Sequence, residues 1–472
     1  MARELSQTEK KSSMIVAPGG SESGSRRWAF AGVMSAVLLP VFLFYFNLFR
    51  TALDLPLLDD YEAILGFMNR WATSPSITDR LFWFLTSQHV EVKLFLLHAI
   101  VLAQYAVLGH VNFRFLSLFS EGLLLGLAYL FWKMFIPRSP DRLLRLTLFL
   151  PVTFLLFQLQ YSLELSVVTP GMAHIAGLLF SLAALYELNR DNHRSFVAAL
   201  AFLLLAVASF GNGFMVVPIG MLILGRKRRY KELGLFLAIS LACAAIYAYR
   251  FDFHVPEGGV ISMPQFNWLT IPRDCLYVAF FLGSAGGVNS HFPPGALILC
   301  ILLVATFAWM LATGQMSKNY LPFDCALFLL LSAATAASRR AAFGVTQSLN
   351  SRYSLYSITC VILLWILLVE RFLPRLRRPW DNGLFLAVMA CSVLFSFSWD
   401  MIGMASIRQR NDSVVTAITR FQHPDPNAPQ RYPVPPYRYP GPNGEADGVK
   451  LRERMLSNLN LSAKLGIYRP HF

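Results

Sequence analysis

Four carboxylates stand close together where the first long apolar run ends: Asp54, Asp59, Asp60 and Glu62, in the segment DLPLLDDYE. A carboxylate held beside a membrane can remove the proton from an acceptor hydroxyl, and a positioned general base contributes on the order of 10²–10⁴ in rate. The alternative is a solvated loop whose charges keep the end of a membrane helix out of the lipid. Asp59 and Asp60 are the catalytic candidates, and only one of them need act because adjacent side chains usually point apart.

The segment SQHVEVK follows the acidic loop and alternates ionisable residues at His89, Glu91 and Lys93. These side chains could bind a phosphate or pyrophosphate, or could help the aspartates to hold a divalent cation such as Mg²⁺ or Mn²⁺. The alternative is the polar face of a helix at the membrane surface, which fits Lys93 and the following His98 best. A His-x-Glu pair is weak evidence for a metal site, and no complete ligand set is visible. The sequence therefore establishes no cofactor and leaves a divalent cation open.

Three arginines, Arg339, Arg340 and Arg352, lie in a segment that we expect on the same side of the membrane as the acidic loop. Lys and Arg are normally concentrated in cytoplasmic loops, so arginines on the outer face need another partner. A guanidinium group can bind phosphate oxygens through two parallel hydrogen bonds. Arg352, with Tyr353 beside it, is the best candidate for the phosphate of a lipid-linked substrate. An arginine that reaches lipid headgroups is a nearly equal alternative.

Two further ionisable residues are candidates. Glu164, in QLQYSLELS, stands in a short loop between apolar runs and is expected to line the same cavity as Asp59. A hydrogen-bonding group between helices is the alternative for Glu164. His174 falls in the middle of an apolar run, where an ionisable residue is a functional hypothesis by default.

The composition predicts an integral membrane protein. Of 472 residues, 55% are hydrophobic and only 14% are charged, whereas soluble domains carry about a quarter charged residues. The formal net charge is +14, but most Lys and Arg lie in short runs between apolar segments, where they set topology. Nucleic acid is therefore not expected as a partner. The six cysteines show no CxxC spacing and are expected to be small buried residues.

The apolar runs predict an all-α polytopic protein with about eleven transmembrane helices. The expected spans are 28–49, 113–135, 143–158, 167–188, 195–209, 211–225, 232–251, 295–313, 322–338, 354–373 and 382–402. Placing the basic runs inside puts the N-terminus in the cytoplasm and the C-terminus outside. The fifth and sixth spans are short and meet at SFGNGF, which predicts two half-length helices.

Residues 88–109 are long enough to cross the membrane, but a crossing there would place the basic run GRKRRYK outside. We therefore expect them to lie flat on the outer face as a juxtamembrane amphipathic helix in the first external loop. Three domains follow. Residues 1–27 form a disordered cytoplasmic tail, and residues 28–402 form the transmembrane domain with external loops 50–112, 252–294 and 339–353. Residues 403–472 form a small Pro-rich external tail with a helix expected near 448–465.

This arrangement resembles the GT-C superfamily of polytopic glycosyltransferases, and most closely the enzymes that use lipid-linked sugars. Those proteins have one span, a first external loop with an acidic motif, juxtamembrane helices and then the second span. The acidic motif is matched by LLDDYE and the closing signature in part by LGHVNFRF. The segments SFGNGFMVVP and SRRAAFGVTQSLNSRYS look like parts of bacterial membrane proteins of the same superfamily.

The resemblance implies an inverting glycosyltransferase of the bacterial inner membrane. The donor would be a sugar on a polyprenyl phosphate, and the acceptor a glycan, lipid or protein of the cell envelope. Asp59 or Asp60 would act as general base. Arg352, with Arg339 or Arg340, would stabilise the departing lipid phosphate. A transporter or flippase of lipid-linked saccharides, and a non-catalytic envelope assembly protein, are the other two hypotheses.

Overall fold

The computed structural model describes residues 20–135, 142–162, 165–252, 268–287, 293–372, 383–422 and 444–469. Within these ranges the chain is helical and forms no strand beyond one isolated bridge between His89 and Val92. The α-helices in chain order are α1 (Gly20–Thr51), α2 (Phe67–Thr73), α3 (Ile77–Thr86), α4 (Phe95–Leu108), α5 (Phe113–Met134), α6 (Arg142–Leu156), α7 (Val168–Gly171), α8 (Gly177–Leu188), α9 (His193–Ser209), α10 (Val216–Arg226), α11 (Tyr230–Ala248), α12 (Ile271–Gly283), α13 (Pro293–Ala312), α14 (Leu321–Arg340), α15 (Ser351–Phe372), α16 (Gly383–Gln422) and α17 (Gly444–Lys464).

Nine helical stretches of the described chain are long and apolar enough to cross a membrane. They are Arg26–Thr51, Phe113–Met134, Arg142–Tyr161, Val168–Leu188, Tyr230–Ala248, Pro293–Ala312, Leu321–Phe343, Ser351–Phe372 and Phe385–Ala417. The all-α polytopic fold predicted from the sequence is confirmed. These nine stretches coincide with nine of the eleven expected spans, and the other two expected spans are the shorter helices α9 and α10.

Helices α7 and α8 form the centre of the bundle, joined by one wider π-helical segment, Met172–Ala176. Nearly all of the stretch Val168–Leu188 is buried, because it is apolar on every face and neighbouring helices surround it. By contrast, α11 and α13 leave most of their apolar surface exposed. Such a surface suits lipid as the surrounding solvent.

The short helices α9 and α10 meet in a tight 3₁₀ turn, Gly211–Met215, as the sequence predicted. The turn requires Gly213, since a Cβ there would lie 2.5 Å from the carbonyl carbon of Ala206. Tyr247 reaches the same turn, with its hydroxyl oxygen 3.1 Å from the Cβ position of Gly211. The Gly-Asn-Gly segment is thus enclosed by protein, as irregular backbone within a helical bundle must be.

The polar connections gather at the two ends of the bundle. At the first, called the loop end, Asp60 contacts the start of α7, Glu91 contacts the end of α14, and Lys93 contacts the end of α11. At the opposite, basic end, Arg226 of α10 pairs with Asp324 of α14 at 3.0 Å. The acidic loop and the arginines around position 340 therefore share one end of the helices.

The first loop differs from the expected flat amphipathic helix. Residues 89–92 form a tight turn, and helix α4 begins only at Phe95. Its 14 residues rise about 21 Å, less than the roughly 30 Å of a bilayer core. Its polar side chains His98 and Gln104 are buried against the protein, whereas Val107 at its end is exposed. The expectation of a water-facing polar side is wrong, because the loop folds into its own core around His98.

The segment after residue 402 also differs from the expected tail. Helix α16 runs through that boundary without a break and continues to Gln422. Helix α17 covers the span expected at 448–465 and packs on the first loop, where Leu451, Met455 and Leu459 are buried. The Pro-rich residues 423–443 lie outside the described ranges. The C-terminal part is therefore joined to the transmembrane bundle and to the acidic loop.

Candidate active site at the loop end

Asp60 is fully buried and accepts four hydrogen bonds. The backbone NH groups of Val168 and Thr169 donate to it at 3.2 and 2.8 Å. The Thr169 hydroxyl donates at 2.7 Å and the NH of Leu57 at 3.2 Å. Asp60 thus satisfies donors at the start of α7, where a negative charge also meets the positive end of the helix dipole. Burial raises the pKa of Asp60 to about 7, against the hydrogen bonds from Thr169, Leu57 and Val168.

Asp59 points elsewhere and remains open. Half of its side chain is exposed, 51%, and its Oδ1 lies 3.9 Å from Nε2 of His89. Burial disfavours the ionised form, but the contact with His89 and the charges of His89, Arg352 and Arg340 outweigh it, so the pKa of Asp59 is lowered. Of the two candidate bases, Asp59 is the one that a substrate can reach.

His89 is held by the tight turn of residues 89–92. Its NH donates to the carbonyl of Val92 at 2.8 Å, and the NH of Val92 returns a hydrogen bond at 3.0 Å. Burial lowers the pKa of His89, but the contact with Asp59 and the nearby charges of Asp59, Glu62 and Asp60 prevail, and the pKa is raised. Each member of the pair therefore favours the charged form of the other.

Both members of this pair stand next to strained backbone. Leu58, which precedes Asp59, has φ 46°, and Val90, which follows His89, has φ 49°. A β-branched residue with positive φ is a genuine outlier. Each such residue costs on the order of 1–3 kcal/mol, and these conformations concentrate at functional sites. The surrounding structure therefore imposes the positions of Asp59 and His89.

The three arginines of the sequence prediction differ in what they bind. Arg340 is paired with Glu91, and its Nε donates to Oε1 of Glu91 at 3.1 Å. The guanidinium of Arg352 makes no hydrogen bond or ion pair with any described residue, and its Nε is buried. Arg339 likewise has no ion pair within the described ranges. Arg352 thus keeps its charge for another partner, and its field reaches Asp59.

Tyr353 is buried below these charges. Its ring lies 6.0 Å from that of His174 and 4.6 Å from that of Phe281. His174 Nδ1 lies 3.2 Å from the hydroxyl of Tyr356, and Nδ2 of Asn212 donates to the same hydroxyl at 3.0 Å. Arg352 and Arg340 lie within electrostatic reach of His174. The structure therefore brings His174 to the same region as Arg352 and Asp59.

Of the other predicted residues, Lys93 is occupied by contacts within the protein and Glu164 lies outside the described chain. Lys93 is fully buried, and its ammonium donates to the carbonyls of Leu85 at 2.9 Å and Tyr249 at 2.7 Å. Burial lowers the pKa of Lys93. These hydrogen bonds connect the first loop to the end of α11, and they leave the ammonium little donor capacity for a phosphate. Glu164 lies outside the described residues.

The described residues do not assemble a metal centre. No group of three His, Cys, Asp or Glu side chains in these ranges is placed to hold a metal ion. Near Asp59, the carboxylate of Glu91 is occupied by Arg340, and that of Glu62 lies 3.2 Å from Nε of Arg454. Asp59 and His89 alone fall short of the usual ligand number. The divalent cation suggested by the sequence stays a prediction, and the proposed reaction does not use it.

Several residues of the site went unnoticed in the sequence. In the sequence, Asn212 is one residue of a glycine-rich turn and Tyr356 is one residue of an apolar run. Only the contact between α15 and the α9–α10 turn brings the two together. The C-terminal segment was equally unsuspected. The hydroxyl of Tyr468 donates to the carbonyl of Asp54 at 2.7 Å, and the NH of Val111 donates to Ile467 at 2.7 Å. Both ends of the first loop are thus held by the last residues of the chain.

Comparison with protein-family models, with curated proteins and with solved structures finds no match to this chain. The functional argument therefore rests on the geometry of the loop end and on the sequence motifs.

Proposed function

We propose that this protein is an inverting glycosyltransferase that moves a sugar from a polyprenyl-phosphate donor to an acceptor hydroxyl at a membrane surface. The observation that carries the proposal is the exposed carboxylate of Asp59, which contacts His89 and lies in the field of the Arg352 guanidinium, a group with no ion pair among the described residues. The carboxylate of Asp59 can accept the proton of the acceptor hydroxyl, and the guanidinium of Arg352 can bind the phosphate that departs. The resemblance of LLDDYE to the acidic motif of GT-C enzymes points to the same chemistry.

The transfer is a single displacement. The acceptor oxygen attacks the anomeric carbon, the bond from that carbon to the phosphate oxygen breaks, and the electron pair leaves with the lipid phosphate. Asp59 takes the proton from the acceptor oxygen. A carboxylate with a lowered pKa suits late proton transfer, since the attacking hydroxyl becomes acidic as the new bond forms. Arg352 stabilises the charge on the departing phosphate, a contribution that is usually large.

The placement of the polar groups favours an enzyme over a transporter. A transporter of lipid-linked saccharides is expected to bind its cargo near the middle of the membrane, between broken helices. Here the short helices α9 and α10 meet at the loop end, beside Lys93 and Tyr247. The proposal places this end on the outer face of a bacterial inner membrane, with the N-terminus in the cytoplasm. The acceptor is then a glycan, lipid or protein of the envelope.

The direct test is sugar transfer in proteoliposomes. The full chain is supplied with polyprenyl-phosphate sugars labelled in the sugar and with envelope extract as acceptor, and the label that leaves the lipid-phosphate pool is measured. Asp59→Asn is expected to stop the transfer, while Asp79→Asn, a change of the same kind at an exposed carboxylate of α3, leaves it intact. Equal transfer by wild type and Asp59→Asn would remove the proposed base.

A further inference from the structure

Below Arg352 lies a chain of three polar side chains, formed by His174, Tyr356 and Asn212. The amide of Asn212 donates to the Tyr356 hydroxyl at 3.0 Å. That hydroxyl can then direct its own proton to Nδ1 of His174, 3.2 Å away. With hydrogen bonds in these directions, His174 carries its proton on Nε2, and the side-chain carbonyl of Asn212 remains available as an acceptor. Buried polar groups between apolar helices are costly unless they are hydrogen-bonded.

The buried polar atoms of this region that have no hydrogen-bond partner among the described residues include Oδ1 of Asn212, Oε2 of Glu91 and Nε of Arg352. All three are connected to the surroundings of Tyr353. Asn212 reaches it through Tyr356 and His174, Arg352 is its neighbour in the chain, and Glu91 lies within electrostatic reach of its phenol. Buried unsatisfied groups are few in native proteins, and each calls for an explanation.

The hydrogen-bonding capacity of these three atoms distinguishes between possible ligands. An ionised phosphate only accepts hydrogen bonds, so it can satisfy Arg352 but not the carbonyl of Asn212 or the carboxylate of Glu91. A sugar hydroxyl both donates and accepts, and a ring with several hydroxyls can satisfy all three. The rings of Phe210 and Phe281 supply apolar walls, with Phe210 4.8 Å from His174 and Phe281 4.6 Å from Tyr353.

We infer that Asn212 binds the hydroxyls of the donor sugar and is oriented by His174 and Tyr356, while Arg352 binds the phosphate of the same lipid. This inference rests on the proposed function and deepens it. Asn212 determines preference for a glycosylated lipid over the bare lipid phosphate. Tyr356 and His174 are positioning residues, because they hold the amide of Asn212 in the orientation that presents its carbonyl.

The test is binding by the purified full chain in detergent micelles. The probes are a C15 prenyl phosphate and the same lipid carrying one hexose or pentose from a panel. Wild type is expected to bind one glycosylated lipid about tenfold more tightly than the bare phosphate, the value of one well-formed hydrogen bond. Asn212→Leu is expected to lose this preference and to keep its affinity for the bare phosphate. Arg352→Met weakens the binding of both lipids.

Two further variants keep the result interpretable. Asn319→Leu removes an amide that binds Glu370 at the basic end and is expected to keep the preference. Tyr356→Phe keeps the ring, removes the hydroxyl and is expected to lose part of the preference. A preference that survives in Asn212→Leu, or equal weakening of both lipids by that change, overturns the inference alone. If wild type binds neither lipid, the proposed function fails as well.

Discussion

The carboxylate of Asp59 and the imidazole of His89 face each other at 3.9 Å across the two halves of the first loop. Each is positioned by a backbone turn with a residue of positive φ, Leu58 on one side and Val90 on the other. Asp60, only one residue away from Asp59, is turned into the protein and bound to the start of α7. Five predictions follow from the different environments of Asp59 and Asp60 and from the contacts around them.

Asp59 and Asp60 are expected to give opposite phenotypes. Asp59→Ala should lower sugar transfer by on the order of 10²–10⁴, the contribution of a general base, with an unchanged melting temperature. Asp60→Ala should lower the melting temperature, because each buried donor left without its partner costs about 1–3 kcal/mol. Transfer assays and thermal unfolding of the two purified variants check this. A thermally unstable Asp59→Ala would show that the carboxylate is structural.

Activity should be restricted to the pH range in which the Asp59–His89 pair is ionic. The pKa of Asp59 is lowered by His89 and the arginines, so the acid limb should lie below the ordinary value of 3.8. The pKa of His89 is raised by Asp59, so the alkaline limb should lie above 6.5.

The pH profile of kcat/KM tests that restriction, with His89→Gln as the comparison. The variant should lose the alkaline limb and move the acid limb back toward the ordinary carboxyl value. An alkaline limb that persists unchanged in His89→Gln would assign it to another group.

Stability should fall as the pH rises through the range in which Asp60 ionises. Its pKa in the folded protein is about 7 because of burial, against an ordinary value of 3.8. Between these two values the folded chain binds the proton more tightly than the unfolded chain, so raising the pH favours unfolding. Melting temperatures of wild type should therefore decline between pH 4 and 7, and those of Asp60→Ala should be flatter. Parallel curves would exclude Asp60 as the source.

Arg352 and Arg340 should contribute differently to substrate binding. Arg352→Met removes a guanidinium without an ion pair and should weaken prenyl-phosphate binding about 10- to 100-fold, as expected for a hydrogen bond to a charged group. Glu91→Gln should change this affinity less, since it releases Arg340 and removes no charge from the phosphate site. Arg250→Met is the matched control, because Arg250 is an exposed arginine at the loop end and, like Arg352, lies over an aromatic ring. A comparable loss in Arg250→Met would point to general electrostatic attraction.

Helix α17 should stabilise the first loop mainly through its buried contacts. The hydroxyl of Ser462 donates to Oδ1 of Asn69 at 2.7 Å in the core between them. Arg454 and Glu62 form an ion pair near the surface, with 46% and 26% of their side chains exposed. Ser462→Ala should therefore lower the melting temperature more than Arg454→Gln. Hydrogen exchange of residues 61–73 should rise with Ser462→Ala, and protection that is unaffected would show that α17 does not order the loop.

Much of the fold was determined by the sequence alone. Runs of about twenty apolar residues must form helices in lipid, because no water satisfies their backbone there. The nine long helices and the half-length pair at SFGNGF follow from this single constraint. The grouping of acidic residues after α1 and of arginines at the end of α14 and the start of α15 was also visible in the sequence. The sequence equally predicted a helix near 448–465, where α17 lies.

Tertiary structure alone decided which ionisable residue is open and which is occupied. Asp59 and Asp60 are indistinguishable in LLDDYE, and their roles separate only because the start of α7 presents three donors to Asp60. Arg340 and Arg352 separate because Glu91, some 250 positions away in the chain, reaches only the first. Local sequence fixes helices through short-range hydrogen bonds and hydrophobicity. Burial and pairing of charges depend on contacts between segments distant in sequence, which no local pattern records.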